Sequence, residues 1–358
     1  MKLLVTRTDR LGDVVLSLPT IDAIAAAHPD WDLDVLVAPA AVPLLEHHPA
    51  VRRIWTWSAR GGAAATVALA GALRREGFAA VLQLQYRWRL GLLMRSVGIP
   101  RRGGPLSQWT SWLLLNRGVR QARSRGDAHE TELGGDLARR LLAEDLPALA
   151  PPRLHLSAEQ HAAGRAFRAE RAPGADVVGF VHPGSGGSAL DWAPHHFARV
   201  ANNLAARPGW RVFVTGAGRD AEKVAAVSRH LDPGVTVLLD ATDLRGFLGL
   251  LAAGDAFVGP STGPLHMAAA LDLATVGLYP PVRTLGPNRW GPRGRWVRTL
   301  VPERECPARR HCRVADCVHW NCLDLIAPEA VTETLVALTG KRSRASVTQV
   351  TPDKEDST

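Results

Sequence analysis

The chain of 358 residues lacks the features that would place it in a membrane or a secretory pathway. No run of about 18 uncharged apolar residues occurs, so the sequence predicts no membrane-spanning helix. The chain starts directly with the strand-like segment KLLVTR instead of the charged and then apolar plan of a signal peptide. This start predicts a cytoplasmic protein.

Acidic residues are absent between Glu76 and Asp127, although the whole chain has 34 of them and a net charge of +9. The same stretch contains nine arginines: Arg87, Arg89, Arg95, Arg101, Arg102, Arg117, Arg120, Arg123 and Arg125. Trp88, Trp109 and Trp112 lie among them. Such a stretch predicts a basic face that attracts the phosphates of anionic lipid, a phosphorylated glycan or nucleic acid. The alternative is a solvated arginine-rich surface without a ligand.

Cysteine is scarce, and its distribution is uneven. All four cysteines, Cys306, Cys312, Cys317 and Cys322, lie in one short segment. Their spacing lacks the paired C-x2-C knuckles of common zinc modules, so a structural metal site is one interpretation and reduced thiols packing a loop are another. A reducing compartment would disfavour stable disulfides.

Strand-like and helix-like segments alternate along both halves of the chain, within a globular composition that is 46% hydrophobic and 22% charged. This alternation predicts an α/β fold of two Rossmann-like domains, with parallel sheets that face each other across an interdomain cleft. We place the domains at 1–172 and 173–326, the second including a cysteine-rich loop over 306–322. A C-terminal helix over 327–340 should end at its last residue, a glycine. The polar residues 341–358 should then form a disordered tail.

One local prediction concerns the first domain. Apolar residues at helical spacing predict a single helix over Val14–Ala27, with Pro19 tolerated near its start. The residues at 101–107 are rich in glycine and proline, and no strand is assigned to them.

The segment FVGPSTGPLHMAAALDLATVGLYPP, at 257–281, predicts a strand, a tight turn and a helix. Pro264 suits the first turn of this helix, while Ser261 and Thr262 are typical capping residues. Gly263 allows close approach to the backbone, and His266 lies two residues further on. A helix start after a buried strand attracts anions, so the segment predicts a diphosphate site. An ordinary capped helix is the alternative.

Other candidates for chemistry follow the first strands of each half. Asp13 lies at the start of a helix after the first strand, which suits a general base at the edge of a cleft or, alternatively, a charge that complements the helix. The glycine run at 184–187 and the Gly216-Ala217-Gly218 turn can approach phosphate through backbone N–H groups. Neither is followed by the Gly-Lys-Ser/Thr of a P-loop.

Several motifs together resemble glycosyltransferase family 9, the heptosyltransferases of lipopolysaccharide core assembly. They are LLVTRTDRLGDVVLSLPTIDAI, HPGSGGSALDWAPHHFARV, VFVTGAGRDAE and VGPSTGPLHMAAALDLATVGLY. The resemblance implies a GT-B fold and inverting, metal-independent transfer from a nucleotide-sugar, typically ADP-heptose, to a hydroxyl of an anionic, lipid-linked glycan. It implies no required cofactor, no nucleic-acid partner, and a peripheral location at the inner face of the cytoplasmic membrane.

The resemblance also implies roles for individual residues. Asp13 would deprotonate the acceptor hydroxyl. By likeness, Thr262, Gly263, Pro264 and Leu265 would hold the diphosphate, with His266 beside it. Together with the glycine turns and the capping residue noted above, we expect the donor-binding residues to be Ser185, Gly186, Thr215, Gly216, Ser261, Thr262, Gly263, Pro264, Leu265 and His266. From the turn after the first strand and the arginine-rich stretch, we expect the acceptor-binding residues to be Arg10, Gly12, Arg87, Arg89, Arg101 and Arg102.

The chain departs from the family pattern at two positions. It has Leu190-Asp191-Trp192-Ala193 where the family commonly has a lysine before Trp-Pro, so Arg219 or Arg283 would have to supply the missing cation. It also has Ser261 where the family often has an aspartate that can bind a sugar hydroxyl. This difference leaves the identity of the transferred sugar undetermined. Two other functions remain: a protein O-heptosyltransferase with a cysteine-bound metal, and a catalytically silent nucleotide or nucleic-acid binder.

Overall fold

The structure, a computed structural model, describes residues 1–185, 190–307, 317 and 321–350, the last five of these by their backbone alone. It divides the chain into two compact units. The first unit contains residues 1–159 and 283–293, and the second contains the rest. The boundary thus lies before the predicted residue 172, because the helix at 158–171 packs in the second unit, where Gly164 contacts Gly249.

The first unit is built on a six-stranded sheet in which all neighbouring strands are parallel. Its strands are β1 Lys2–Arg7, β2 Asp32–Val37, β3 Arg53–Thr56, β4 Ala80–Gln83, β5 Arg101–Pro105 and β6 Arg117–Val119. Its α-helices are α1 Leu11–Val15, α2 Leu18–Ala27, α3 Ala63–Glu76, α4 Trp88–Val97, α5 Trp109–Leu114 and α6 Glu130–Leu142. The returning segment 283–293 adds the short helix Pro287–Trp290, which we number α12 by its place in the chain.

The second unit repeats this plan with another fully parallel six-stranded sheet. Its strands are β7 Val177–Val181, β8 Trp210–Gly216, β9 Val235–Leu239, β10 Ala256–Pro260, β11 Ala274–Leu278 and β12 Val297–Leu300. Its helices are α7 Ala158–Arg171, α8 Pro194–Ala205, α9 Ala221–Ser228, α10 Leu244–Ala252, α11 Gly263–Ala270 and α13 Pro328–Val350.

Both sheets have the same strand order, and this order determines where a ligand site can form. The spatial orders are β3-β2-β1-β4-β5-β6 and β9-β8-β7-β10-β11-β12. In each sheet the second and third strands lie on one side of the first strand, and the fourth to sixth strands lie on its other side. The switch point is therefore between the first and the fourth strand. Ligands of open parallel sheets bind at the carboxyl ends of the strands beside such a switch point. The candidate site in each unit therefore lies after β1 and β4, or after β7 and β10.

In the first unit one local prediction is wrong and one strand was not predicted, each for an identifiable reason. The predicted helix Val14–Ala27 is divided into α1 and α2, because Pro19 occupies the first turn of α2, where its missing N–H costs nothing. The glycine-rich segment at 101–107 contains β5. Its glycines are needed there, since a Cβ on Gly103 would lie 3.0 Å from Leu141 Cβ, and one on Gly104 would lie 2.9 Å from the Gln83 carbonyl oxygen.

The C-terminal helix is longer than predicted. It does not end at Gly340 but continues to Val350, into the segment predicted to be a disordered tail. One glycine inside a helix costs only about 1 kcal/mol, and here tertiary contacts offset it. Arg342 donates hydrogen bonds to Asp255 Oδ1 at 3.0 Å and to the Asp272 carbonyl oxygen at 2.7 Å. Residues 351–358 lie outside the described chain.

Within the described residues, none of the helices has the length and apolar character needed to cross a bilayer.

Candidate functional site

A cavity of about 580 Å³ opens at the switch point of the first unit. Its walls come from the ends of β1, β4 and β5, from the start of α6 and from α12. The lining residues are Arg7, Asp9, Arg10, Asp13, Gln85, Tyr86, Arg87, Pro105, Ser107, Arg123, Glu130, Arg289 and Trp290. They include five arginines and three carboxylates, so the cavity suits an anionic ligand.

Asp13 is fixed in this cavity by Arg7, the last residue of β1. The Arg7 guanidinium donates to Asp13 Oδ1 at 2.8 Å, to Asp9 Oδ1 at 2.7 Å and to Glu130 Oε1 at 3.0 Å. Its side chain is only 4% exposed, so these charge-assisted bonds are shielded from water. One arginine thereby orients three carboxylates around the Asp13 side chain.

The surroundings make the Asp13 carboxyl group more basic than usual. Burial raises its pKa to about 6, Arg7 opposes the rise, and the charges of Asp9 and Glu130 add to it. At neutral pH the group is mostly ionised and yet basic enough to accept a proton, which is the range that suits a general base. The sequence predicted this carboxylate at the edge of a cleft; in the structure it is largely buried and lines the cavity of the first unit.

Glu130 opens α6 and is the most completely enclosed carboxylate of the cavity. It pairs with Arg7, with Arg123 Nη1 at 2.6 Å and with Arg289 Nη2 at 3.4 Å. Burial alone would raise its pKa, but the three arginines hold it below the ordinary value. Glu130 therefore stays ionised and keeps Arg7 in place. Sequence spacing gave no signal for this role, because Glu130 is distant in the chain from Asp13 and follows no motif.

Two of the cavity arginines are available to a ligand. Arg10 is exposed, and Arg87 donates its Nε–H to Gln85 Oε1 at 3.0 Å. Neither forms an ion pair with another described residue. Both were predicted to bind an acceptor, and both line the cavity. Gly12 was also predicted to bind the acceptor. It is buried in α1, next to Asp13.

Arg89, Arg101 and Arg102 do not line the cavity, although the sequence grouped them with Arg87. Arg101 and Arg102 begin β5, so they lie at the amino edge of the sheet, opposite the switch point. Arg102 donates to the carbonyl oxygens of Leu114 and Ile99 at 2.8 and 2.6 Å. Arg89 is exposed on α4. Spacing along the sequence could not separate the two edges of the sheet.

The switch point of the second unit has the predicted strand–turn–helix arrangement. β10 ends at Pro260, Thr262 occupies the N-cap position of α11, and Pro264 lies in the first turn. Leu265 and His266 are buried beneath this helix start. First-turn N–H groups have no intrahelical partner, and the helix dipole is positive there, so an anion is stabilised at this point.

Neighbouring loops of the second unit supply further polar groups. His182, after β7, has its Nδ1 atom 2.9 Å from Thr215 Oγ1, and burial lowers the pKa of this histidine to about 4. It is therefore neutral at physiological pH. Gly216 packs on α9, where an added Cβ would lie 2.5 Å from Val224 Cγ2. Gly186, another expected donor-binding residue, lies outside the described residues.

A lysine that the sequence analysis did not consider lies beside Ser185. Lys223 Nζ donates to Ser185 Oγ at 2.6 Å and forms an ion pair with Asp191. Two arginines were expected to replace the missing lysine of the family. Arg283 belongs to the first unit and pairs with Asp127, whereas Arg219 is exposed in the turn before α9. Lys223 is the cation that the fold brings to the Leu190–Ala193 loop.

The cysteine segment is only partly described. Cys306 and Cys322 are buried, Cys317 is exposed, and Cys312 lies outside the described residues. Within the part of the chain that the structure describes, no group of three or more His, Cys, Asp or Glu side chains could hold a metal ion. A metal bound by all four cysteines therefore stays a prediction.

Comparison with known proteins gives consistent matches. The model of the family "Glycosyltransferase family 9 (heptosyltransferase)" matches residues 66–318. A Haemophilus influenzae protein provisionally named a glycosyltransferase is 29% identical over 298 residues, which are 81% of this chain and 86% of that protein. Lipopolysaccharide heptosyltransferase 2 of Escherichia coli is 26% identical over 350 residues, 94% of this chain and 98% of the relative.

The structural comparison shows the same fold over nearly the whole chain. The solved structure of E. coli ADP-heptose LPS heptosyltransferase II superposes with a TM-score of 0.78 at 23% identity, covering 96% of this chain and 100% of that one. The two parallel sheets described above are thus those of a GT-B fold.

Proposed function

The chain belongs to glycosyltransferase family 9, and from this premise we propose that it moves a heptose from ADP-heptose to a hydroxyl group of an anionic, lipid-linked glycan. The transfer inverts the anomeric centre and needs no metal ion. Membership of the family makes the chain a heptosyltransferase-like enzyme of lipopolysaccharide biosynthesis. The observation that carries the proposed mechanism is the buried Asp13 carboxylate, which Arg7 holds in an arginine-lined cavity.

Asp13 acts as the general base of the reaction. Its carboxylate takes the proton of the acceptor hydroxyl while the acceptor oxygen forms a bond to the anomeric carbon. The bond from that carbon to the donor phosphate breaks, and the nucleoside diphosphate leaves with the electron pair. A positioned base contributes about 10²–10⁴ to such a rate, and the raised pKa of Asp13 suits it to hold the proton.

The cavity of the first unit binds the acceptor. Arg10 and Arg87 have no ion pair with another described residue, so they can pair with phosphate or carboxylate groups of the glycan. Arg123 and Arg289 are held by Glu130 and fix the shape of the wall. An acceptor without anionic groups should therefore bind more weakly than one that carries them.

The second unit binds the donor. The start of α11, with Thr262, Gly263 and Leu265, holds the diphosphate through backbone N–H groups and the helix dipole. The charge that develops on the leaving diphosphate is stabilised there without a cation from solution. Lys223 supplies the positive charge that the lysine before Trp-Pro commonly provides in other members of the family.

A panel of nucleotides tests the donor assignment. We expect ADP and ADP-heptose, at about 100 times their dissociation constants, to add about 2.7 kcal/mol to the free energy of unfolding of the full chain. UDP and GDP at the same concentrations should add much less. Thermal unfolding followed by fluorescence measures the effect. A response to UDP or GDP in place of ADP would overturn ADP-heptose as the donor.

A further inference from the structure

Two neighbouring helices of the first unit leave an apolar face uncovered. Trp88 and Leu92 of α4, with Trp109, Trp112 and Leu113 of α5, are each exposed over half or more of their surface. These five are half of the large apolar side chains that are exposed in the described chain, yet all lie between residues 88 and 113. We call them the tryptophan face. Exposed apolar groups clustered in this way mark interaction sites.

The spacing of these residues puts them on common helix faces. Trp88 and Leu92 are four residues apart, and Trp109 is followed at three and four residues by Trp112 and Leu113, so each set shares one side of its helix. The two helices pack against each other, since a Cβ on Gly91 would lie 3.3 Å from Leu114 Cδ1.

Helix α4 is apolar on a second side as well. Its residues Leu90, Leu93, Met94 and Val97 are buried in the core of the first unit. The core therefore does not account for the exposed apolar side chains. A soluble surface helix normally has one apolar side and a polar opposite side, whereas α4 exposes both apolar residues and arginines.

The segment of chain that carries the tryptophan face has charged residues of one sign only. Arg89 and Arg95 are exposed on α4, and Arg117 and Arg120 are exposed after α5. No acidic residue occurs between Glu76 and Asp127. The Arg89 guanidinium lies 5.4 Å from the Trp88 ring centre, so cationic and aromatic groups are interleaved. A partner must therefore offer both apolar volume and negative charge.

We propose that the tryptophan face docks on the surface of an anionic phospholipid bilayer. Tryptophan rings prefer the headgroup region of a bilayer, because one edge of the ring is polar and the rest is apolar. Arginines next to them pair with anionic headgroups. The tryptophan face thus combines aromatic rings for the headgroup region with arginines for anionic headgroups. Docking of this kind needs no membrane-spanning helix.

The position of the face relative to the cavity connects docking with the proposed function, on which this step rests. Arg87, which lines the cavity, directly precedes Trp88, and the cavity residue Ser107 comes two residues before Trp109. Both helices thus begin at the cavity wall. A glycan whose lipid tail lies in the same bilayer would need to extend only a short way to reach Asp13.

Sedimentation of the full chain with vesicles tests the proposal without any need for catalysis. The probes are vesicles of phosphatidylcholine with about one third phosphatidylglycerol, and vesicles of phosphatidylcholine alone. We expect binding to the anionic vesicles and little to the neutral ones. The double variant Trp109→Ala/Trp112→Ala should bind the anionic vesicles about a hundredfold more weakly, since each buried ring contributes about tenfold. Arg89→Gln/Arg95→Gln should lose about thirtyfold.

A matched control removes exposed apolar side chains from the second unit. Val301→Ala/Leu325→Ala changes two such residues there and should bind vesicles like the wild type. Circular dichroism and thermal unfolding verify that every variant folds.

Three results would overturn the proposal: a wild-type chain that stays in the supernatant, a tryptophan variant that binds as the wild type does, or a control variant that loses as much. A fourth would be tight binding of a single-stranded oligonucleotide that the tryptophan variant loses, without vesicle binding, because stacked bases would then be the partner. Failure of docking would leave ADP binding and transfer to a water-soluble acceptor unaffected, so it is distinguishable from failure of the proposed function.

Discussion

The Asp13 side chain is the residue on which the proposed mechanism depends, and the fold keeps its charged carboxyl group in a buried position. Its carboxyl group is ionised at neutral pH although burial disfavours the charge, so its pKa rises from about 3.8 to about 6. Arg7 compensates only part of this cost. Such local conflict between stability and charge is typical of functional groups.

The substitution Asp13→Asn should therefore stabilise the protein while it destroys activity. The folded state binds the Asp13 proton more tightly than the unfolded state, so ionisation costs stability as the pH rises through about 4 to 6 and costs it fully above. We expect the variant to gain up to about 3 kcal/mol in free energy of unfolding at pH 8 and nothing at pH 3.5. Urea unfolding at the two pH values measures the difference.

The alternative role for Asp13, complementing the amino end of α1, predicts the opposite sign. In that case Asp13→Asn would cost about 0.3–1 kcal/mol at pH 8. A loss of stability at this pH would contradict the pKa shift on which the proposed base depends.

Lys223 permits a second test at the level of single residues. We expect Lys223→Met to weaken ADP binding about tenfold, because it removes a cation beside Ser185 and leaves the Asp191 charge uncompensated. Isothermal titration with ADP measures the change. Arg219→Met, in the turn before α9, is the matched control and should bind like the wild type.

Asp191→Asn separates the two ways in which Lys223 could act. If the lysine binds phosphate, this variant should bind ADP at least as tightly as the wild type, because Lys223 loses a competing partner. If Lys223 only neutralises Asp191, then Asp191→Asn/Lys223→Met should bind like the wild type. That second result would contradict phosphate binding by Lys223.

Among the elements, the end of α13 offers the clearest test. Removal of residues 341–358 deletes Arg342 and its bonds to Asp255 and to the Asp272 carbonyl oxygen, so it should cost about 1–3 kcal/mol of stability. Removal of 351–358 alone should cost almost nothing. Thermal unfolding of the two truncated chains makes the comparison. Equal stability of both would support the disordered tail that the sequence predicted.

Most elements could be predicted from hydrophobic pattern, but those built from atypical residues could not. Leu3, Leu4 and Val5 form a continuous apolar run, as a parallel strand buried on both faces requires. β5 has the sequence RRGGP and shows no such run, because at Gly103 and Gly104 close packing against Leu141 and the Gln83 carbonyl oxygen leaves no space for a side chain. A pattern based on hydrophobicity alone cannot detect a strand whose central residues must be small because neighbouring groups pack closely against them.

At the scale of the whole molecule, the α/β class was predictable from the alternation of strands and helices, and the GT-B fold and the family were predictable from four motifs. The composition of the first cavity was not. Residues 283–293 return to the first unit and bring Arg289 and Trp290 to the cavity, while Glu130 joins from α6. These residues are distant in sequence and have no shared spacing, so only the folded chain reveals that Arg7, Glu130 and Arg289 act together around Asp13.

The pH dependence of transfer by the full chain tests the central claim most directly. We predict that the rate of transfer from ADP-heptose to a lipopolysaccharide-core acceptor is constant above neutrality and falls below about pH 6, as Asp13 takes up a proton. Asp13→Asn should lose at least about 10²-fold at pH 8 while it binds ADP normally. A variant with the wild-type rate, or a wild-type rate that stays constant down to pH 4, would contradict the account.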